Sequence, residues 1–336
     1  MRNILAATIA LLLTCTSAGG GQTSPQPALW FHPEPSRFDL AGQPTDDGGS
    51  WDFAKLFRPN APWQRALSST SVIGIYPVWV LQATPLKLEQ AIAFLNSRGL
   101  GIELETPSLQ ATSTCGTGVE GYIPYGASLQ TITLTYLNRL KSLRANVAFV
   151  KVDEPYFFGS VTPDPRSCHS TVEQIATQVS QFTALVHSVY PNAQVGDVEP
   201  IITSLYAPDV EHAIARWHAT YQQVNGSPFP FFVADLDFGN PGWPTLARRM
   251  EYDTKQSGMR FGIIYIGDYQ DTSDAEWIGK VEARFTAYQG RFGGRPDFVL
   301  FQSWEQHPRY CLPETNPVTF TAALDAYLNF VSLLRR

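Results

Sequence analysis

The sequence has little charge and no long apolar run after its N-terminus. Charged side chains make up 16% of 336 residues, and 30 Asp and Glu outnumber 24 Lys and Arg to give a net charge of -6. Such a balance offers no basic surface for nucleic acid or for an anionic membrane. A membrane span would need about eighteen consecutive apolar residues, so none is expected. The hydrophobic fraction of 44% is still enough to fill a large core.

Histidine is also scarce, with six in the chain. A hydrolytic zinc site usually draws several histidines from strand ends. Here most lie on predicted helices or in a loop, so we expect no metal and no organic cofactor; a calcium site made only of carboxylates is the weaker alternative. No G-x-S-x-G elbow occurs, which disfavours a serine esterase. The histidines are His32 and His307 near strand ends, His169 in a loop, and His187, His212 and His218 on helices.

The first 18 residues are typical of a secretory signal peptide. Arg2 supplies a positive charge, residues 4–13 are apolar, and residues 16–18 are small. Residues 19–28, rich in Gly, Ser, Pro and Gln, are expected to form a flexible leader. We therefore expect a secreted or periplasmic protein.

Four cysteines are present, and Cys15 falls within the predicted signal peptide. In an oxidising compartment the other three fit one disulfide and one thiol. A bond between Cys115 and Cys168, both in predicted long loops, is favoured over pairings with Cys311. The spacing alone does not fix the pairing.

From residue 29 to residue 336, short apolar runs alternate with amphipathic stretches. Helix starts are indicated at Thr84, at Ser170 with Glu173, and at Ser273 with Glu276, the last two as capping boxes. Strand followed by helix, repeated without hairpins, predicts a parallel sheet, and this many repeats predict a single-domain α/β (β/α)8 TIM barrel. The rival is an open doubly wound sheet, which usually carries a Gly-rich phosphate loop that is missing here. The predicted strands are 29–32, 72–76, 101–105, 147–153, 194–199, 229–237, 261–268 and 298–304.

Acidic residues gather at the carboxyl ends of these strands. Segments 103–105, 197–199 and 235–237 all read acid, aliphatic residue, acid. Because side chains alternate along a strand, both acids of each triplet share one face. The outer face of a barrel packs on helices and must be apolar, so we expect these acids to point into the interior near its mouth, at the carboxyl ends of the strands.

Lys151 and Asp153 have the same parity on the fourth strand, which places Glu154 at the rim. Barrels of this type carry their chemistry at that mouth. Two carboxyl groups of different pKa are the equipment of glycoside hydrolysis. A structural alternative for each single acid is that it caps a helix or pairs with Arg or Lys.

Aromatic side chains near strand ends could hold sugar rings, although each is also a common core residue. The candidates are Tyr76, Tyr156, Tyr265, Trp243 and Trp304.

The segment VKVDEPYFF, residues 150–158, resembles the Asn-Glu-Pro ending of the fourth strand in the TIM-barrel superfamily of retaining glycoside hydrolases. The resemblance implies that Glu154 is the acid/base and that Asp153, in place of Asn, contacts the hydroxyl next to the reacting carbon. It also matches Trp304 to the tryptophan that ends the last strand of that superfamily.

The seventh strand lacks the expected Glu and ends in Asp268. Glu199, on the strand next to Glu154, is our first choice for the second carboxylate, as nucleophile or base. Asp235, Asp268 and Glu305 remain open.

The sequence thus predicts an exported, monomeric glycoside hydrolase with Glu154 and Glu199 as catalytic carboxylates, acting on a polysaccharide or oligosaccharide. The alternative is a non-catalytic carbohydrate-binding or polysaccharide-assembly protein on a hydrolase-like barrel. Sugar, linkage and stereochemical outcome are left open. The expected substrate-binding residues are Asp153, Asp235, Asp237, Glu105, Tyr76, Tyr265 and Trp304.

Overall fold

The structure is a computed structural model that describes residues 26–33, 52–106, 127–165 and 167–334. Eight parallel strands close into a barrel in sequence order, with the first strand paired to the last, so the predicted (β/α)8 barrel is confirmed. The predicted signal peptide lies outside the described residues. The strands are β1 Ala28–His32, β2 Thr70–Ile75, β3 Gly101–Thr106, β4 Val147–Asp153, β5 Gln194–Ile201, β6 Phe231–Leu236, β7 Arg260–Tyr265 and β8 Phe298–Gln302.

Helices follow the strands and cover the outside of the barrel. A 3-10 helix at Phe53–Phe57 and π-helical turns at Phe157–Val161 and Thr286–Arg291 supplement them. No helix in the described part of the chain is both long and apolar enough to cross a bilayer. The α-helices are α1 Gln64–Ser69, α2 Pro77–Gln82, α3 Pro85–Ser97, α4 Ala127–Ser142, α5 Val172–Val189, α6 Val210–Asn225, α7 Trp243–Gln256, α8 Asp274–Phe285 and α9 Phe320–Leu333.

Side-chain caps explain where several helices begin. Thr84 accepts the N–H of Lys87 at the start of α3, as predicted. Ser273 accepts the N–H of Glu276 at the start of α8. The predicted box at Ser170 is wrong by one residue, because the reciprocal pair is Thr171 with Gln174. Such caps satisfy backbone donors that the first turn leaves open.

Aromatic rings fill the lower interior of the barrel. Trp30 lies 4.2 Å from Phe298 and 4.5 Å from Phe149 between ring centroids, and Phe231 meets it edge-on at 5.7 Å. The guanidinium of Arg260 lies 5.4 Å from the centroid of Phe149 and closes the stack from below. The interior is therefore a packed core at its base and leaves room only toward the mouth.

Glycines on neighbouring strands make space for this stack. A Cβ on Gly196 would fall 2.4 Å from the ring of Phe231, and one on Gly262 would fall 2.2 Å from Phe298. Higher up, a Cβ on Gly74 would fall 2.0 Å from the ring of His32. These close approaches show that the glycines face the interior.

Cys311 is fully buried and remains a thiol. The predicted bond between Cys115 and Cys168 stays a prediction, since Cys115 lies outside the described residues.

Candidate active site

A layer of buried polar side chains lies above the aromatic stack. The ammonium of Lys151 donates to Oε1 of Gln302 at 2.7 Å and lies 3.2 Å from Oε2 of Glu105. The amide of Gln302 donates in turn to the hydroxyl of Tyr76 at 3.0 Å and to Glu105. Lys151 and Gln302 are fully buried. This network ties β2, β3, β4 and β8 together just below the mouth.

His32 and Glu103 complete this layer. The Nδ1 atom of His32 lies 2.9 Å from Oε2 of Glu103 and 3.5 Å from Oε2 of Glu105. Burial would raise the pKa of Glu103, but the charges of His32 and Lys151 lower it overall. Burial alone would lower the pKa of Lys151, whereas the carboxylates of Glu105 and Glu103 raise it overall. The layer therefore keeps its charges, and its His and carboxylates are potential metal ligands.

Glu154 and Asp235 meet at the mouth, and we call them the carboxylate pair. A side-chain hydrogen bond joins them. Glu154 follows β4 and is partly exposed, whereas Asp235 lies near the end of β6. Glu154 has a φ of 48°, in the left-handed region that non-glycine residues seldom adopt, while its N–H donates to the carbonyl of Val198. Backbone strain of this kind is typical of functional sites.

The surroundings of Asp235 act on its pKa in opposite directions. Burial raises the pKa to about 7; Lys151 opposes this, Glu105 adds to it, and the hydrogen bond from Glu154 lowers it. Two carboxyl groups so close cannot easily both ionise, so the pair holds a proton near neutral pH.

Two cavities open beside the carboxylate pair. One, of about 310 Å³, is lined by both acids and by Asp153, Tyr76 and Trp304. The other, of about 300 Å³, shares Asp235 and Trp304 with it and continues to the loops after β6 and β7. Trp304 is 43% exposed, so its ring is available to a ligand at the junction of the two cavities.

The predicted inward orientation is confirmed for Glu103, Glu105, Lys151, Asp153 and Asp235. It is wrong for the acids of β5. Asp197 accepts from Nε1 of Trp217 at 3.0 Å and pairs with Nε2 of His218 at 2.9 Å, both on α6.

Glu199 also faces outward and is fully buried. Its two oxygens accept the backbone N–H groups of Tyr156 at 2.7 Å and Phe157 at 2.9 Å. Burial raises its pKa well above the usual range. The expectation that Glu199 faces the mouth is therefore wrong, and among the open alternatives Asp235 is the one that shares a hydrogen bond with Glu154.

The other open alternatives are less suited to the role. Asp268 pairs with Arg284 and lies 2.9 Å from Nζ of Lys280, and these contacts hold its pKa low against the effect of partial burial. Glu305 lines the second cavity beside Trp304, but it does not line the first cavity with Glu154.

Some of the predicted sugar-binding residues line the two cavities, and others do not. Tyr76 and Trp304 line the mouth, and Asp237 lines the second cavity while accepting the N–H of Gly239 at 2.9 Å. The prediction for Tyr265 is wrong, because its ring is fully buried outside the barrel against Phe285 and Tyr327.

Two further aromatic candidates pack away from the first cavity. Tyr156 stacks on Trp217 of α6 with ring centroids 5.9 Å apart. Trp243 begins α7 and packs edge-on against Phe238.

His32 and Gln302 were not predicted as site residues. Both end strands at lumen positions, and a signal was present for His32: Gly74, on the next strand, supplies the space that the imidazole ring occupies.

No protein-family model and no curated protein matches the chain. Several solved structures share its fold. A GH5_18 protein from Streptomyces cattleya, in complex with GlcNAc, is 13% identical with a TM-score of 0.56, covering 92% of this chain and 81% of that one. A fungal beta-1,4-galactanase is 10% identical with a TM-score of 0.51, covering 88% and 98%.

A modular endo-beta-1,4-mannanase from Cellulomonas fimi, of glycoside hydrolase family 26, is 12% identical with a TM-score of 0.50, covering 91% and 70%. At these identities the likeness concerns the fold. The predicted resemblance to TIM-barrel glycoside hydrolases is confirmed at that level, and function has to be argued from the site.

Proposed function

We propose that this protein is a glycoside hydrolase in which Glu154 is the general acid and Asp235 the nucleophile. The observation that carries the proposal is the hydrogen-bonded carboxylate pair at the mouth of the barrel, with the pKa of Asp235 raised to about 7. A proton donor beside an ionisable carboxylate is the minimum equipment for cleaving a glycosidic bond.

The contact between the two side chains favours retention of configuration. Inverting enzymes leave about 6.5 to 9.5 Å between carboxyl groups for a water molecule, whereas retaining enzymes need about 5 to 5.5 Å. A hydrogen-bonded pair of carboxyl groups is nearer to the shorter separation of the retaining enzymes. Asp235 would attack the anomeric carbon while Glu154 gives its proton to the departing oxygen. Glu154 would then deprotonate the water that displaces Asp235.

The two cavities suit a substrate of at least two sugar units. One ring would rest near Tyr76 and Trp304 above the carboxylate pair, and the next would extend toward Asp237. The substrate class is therefore an oligosaccharide or polysaccharide.

Release of reducing sugar from a panel of polysaccharides tests the proposal. Glu154→Gln and Asp235→Asn should each lower kcat by about 100- to 10,000-fold, whereas Glu282→Gln, which changes an exposed acid on α8 away from both cavities, should keep the activity. Aryl glycosides whose leaving group departs without protonation distinguish the general acid from the nucleophile. Glu154→Gln should still cleave these substrates, and Asp235→Asn should not. Full polysaccharide activity in both variants would contradict the assignment.

The alternative is a non-catalytic carbohydrate-binding or polysaccharide-assembly protein, which would use the same mouth to hold a glycan. Binding of an oligosaccharide by calorimetry without any cleavage, in wild type and in Glu154→Gln alike, would favour it.

We also propose that the protein is exported as a monomer after removal of residues 1–18, with a disulfide between Cys115 and Cys168. Mass spectrometry of the mature N-terminus, of non-reduced peptides and of the native species checks these points.

A further inference from the structure

We propose that His32, Glu103 and Glu105, which we call the lumen cluster, bind a divalent transition-metal ion beneath the carboxylate pair. One ligand atom from each residue lies within 4.8 Å of the other two. Nδ1 of His32 is 2.9 Å from Oε2 of Glu103 and 3.5 Å from Oε2 of Glu105. Ligands bound at about 2.0 to 2.2 Å from one ion lie about 3 Å apart, so little movement is needed.

Two residues of the lumen cluster, His32 and Glu103, lack the hydrogen bonds that buried groups normally make, and their one close polar contact is the ion-pair distance of 2.9 Å between Nδ1 and Oε2. Glu105 already accepts from Gln302. Neither ring nitrogen of His32 and neither carboxylate oxygen of Glu103 makes a hydrogen bond, although both residues are 0% exposed. Most buried polar atoms in proteins are satisfied, and an unbound ion is one recognised reason for an exception. A cation between the two side chains would satisfy both at once.

The charge of the upper interior points the same way. Among the described residues, carboxyl groups outnumber the basic groups that act on them, which are the ammonium of Lys151, the ring of His32 and the guanidinium of Arg284. Burying unbalanced carboxylates is costly, and a divalent cation would reduce that cost. The carboxyl groups are those of Glu103, Glu105, Asp153, Glu154 and Asp235.

Lys151 sets the strength of binding. Its ammonium lies 3.2 Å from Oε2 of Glu105, so Glu105 would stand between the ammonium and the ion. A carboxylate can accept both, but the two cations repel each other. Removing the ammonium should therefore strengthen metal binding, which a site elsewhere in the protein would not do.

The donor set indicates the kind of ion. One imidazole with two carboxylates suits Mn²⁺, Co²⁺ or Zn²⁺ better than Ca²⁺, which prefers oxygen ligands alone. Glu105 lines the first cavity and is 7% exposed, so an ion can enter from the mouth.

The test uses the full chain, freed of metal with a chelator and titrated with Co²⁺ and Mn²⁺. Visible absorption of Co²⁺ should show one ion per chain, and calorimetry should give the Mn²⁺ affinity. We expect Glu103→Gln to weaken binding at least tenfold, Lys151→Met to tighten it at least tenfold, and Asp237→Asn to leave it unchanged.

A second measurement needs no variant of the lumen cluster. In wild type labelled with ¹⁵N-histidine, Mn²⁺ should broaden the signal of His32 and spare that of His212, which is exposed at the start of α6. Absence of binding by the folded wild type, or equal affinity in Glu103→Gln and wild type, would overturn the proposal. So would a His32 signal that Mn²⁺ does not affect. The lumen cluster would then be an ion pair between His32 and Glu103 only.

Discussion

The ionisation of Asp235 bears on both the proposed reaction and the stability of the protein. The group lies within range of Lys151, which favours its charge, and of Glu105, which opposes it, while burial raises its pKa to about 7. Because a nucleophilic carboxylate must be ionised, the proposed mechanism requires Asp235 to lose its proton before it attacks.

The first prediction concerns the pH profile. If Asp235 is the nucleophile, kcat/KM of wild type should rise about tenfold per pH unit below pH 7, and it should fall again at higher pH once Glu154 loses the proton that it must donate. Asp235→Glu, which keeps a carboxylate, should still show a rise of kcat/KM with pH, with its midpoint at a different pH. A profile that instead falls as pH rises through 7 would make Asp235 the acid.

The second prediction concerns stability. The folded protein keeps a proton on Asp235 between pH 4 and 7 that the unfolded chain has released, so the free energy of unfolding falls as pH rises through this window. Asp235→Asn should therefore be more stable than wild type at pH 8, by about 1 kcal/mol, as is common when a functional site is relaxed. Thermal denaturation at pH 8 and pH 4 checks this. The gain should be absent at pH 4.

Glycine explains why the acids of β3 were placed correctly from sequence and those of β5 were not. Both strands read acid, aliphatic residue, acid, so their patterns look alike. In β5, however, Gly196 has the parity opposite to Asp197 and Glu199, and Gly196 faces the interior because Phe231 fills the space beside it. Which strand yields space to which ring depends on neighbours far away in sequence. Alternation alone therefore predicts that both acids of a triplet lie on one face of the strand, but it does not predict whether that face points into the barrel or toward the helices.

At the scale of elements, Glu199 connects β5 to the turn that carries Glu154. Its two oxygens hold the N–H groups of Tyr156 and Phe157, which open the π-helical turn after β4. This contact fixes the backbone just after the strained residue Glu154. Glu199 is thus a positioning residue: it lies next to the site and holds the turn after Glu154, but it does not line the cavities.

The third prediction follows from this contact. Glu199→Gln leaves one buried N–H without an acceptor, so the free energy of unfolding should fall by about 1 to 3 kcal/mol. Activity should fall in parallel through displacement of Glu154. Denaturant unfolding together with kcat checks this, with Glu282→Gln, on the exposed face of α8, as a neutral control. Total loss of activity at unchanged stability would instead restore Glu199 as the nucleophile.

The fourth prediction concerns the close approach of β7 to the aromatic stack. A methyl group on Gly262 would overlap the ring of Phe298, so Gly262→Ala should destabilise the protein by about 1 to 3 kcal/mol. Gly279, exposed within α8, meets nothing within 4 Å, and Gly279→Ala should stabilise by about 0.5 to 1 kcal/mol. Urea unfolding of both variants gives the comparison. Equal effects would mean that the stack can shift to make room.

For the molecule as a whole, the repeated alternation of strand and helix was enough to predict the closed barrel, including β1 at its start. Closure joins β1 to β8 although they are far apart in the chain. The polar layer and the carboxylate pair then draw on strands all around the ring. Their assembly could not be predicted, because it depends on the register and tilt at which the ring closes.

The fifth prediction tests whether the ring behaves as one unit. The indole of Trp30 contacts Phe149, Phe231 and Phe298, so one side chain of β1 packs on three other strands. Trp30→Ala should cost about 3 to 5 kcal/mol. In hydrogen exchange, the amides of β4, β6 and β8 should lose protection together with those of β1, because the opening that exposes one breaks the shared stack. Loss of protection confined to β1 and its neighbours β2 and β8 would show that the barrel unfolds locally around β1 while the other strands stay folded.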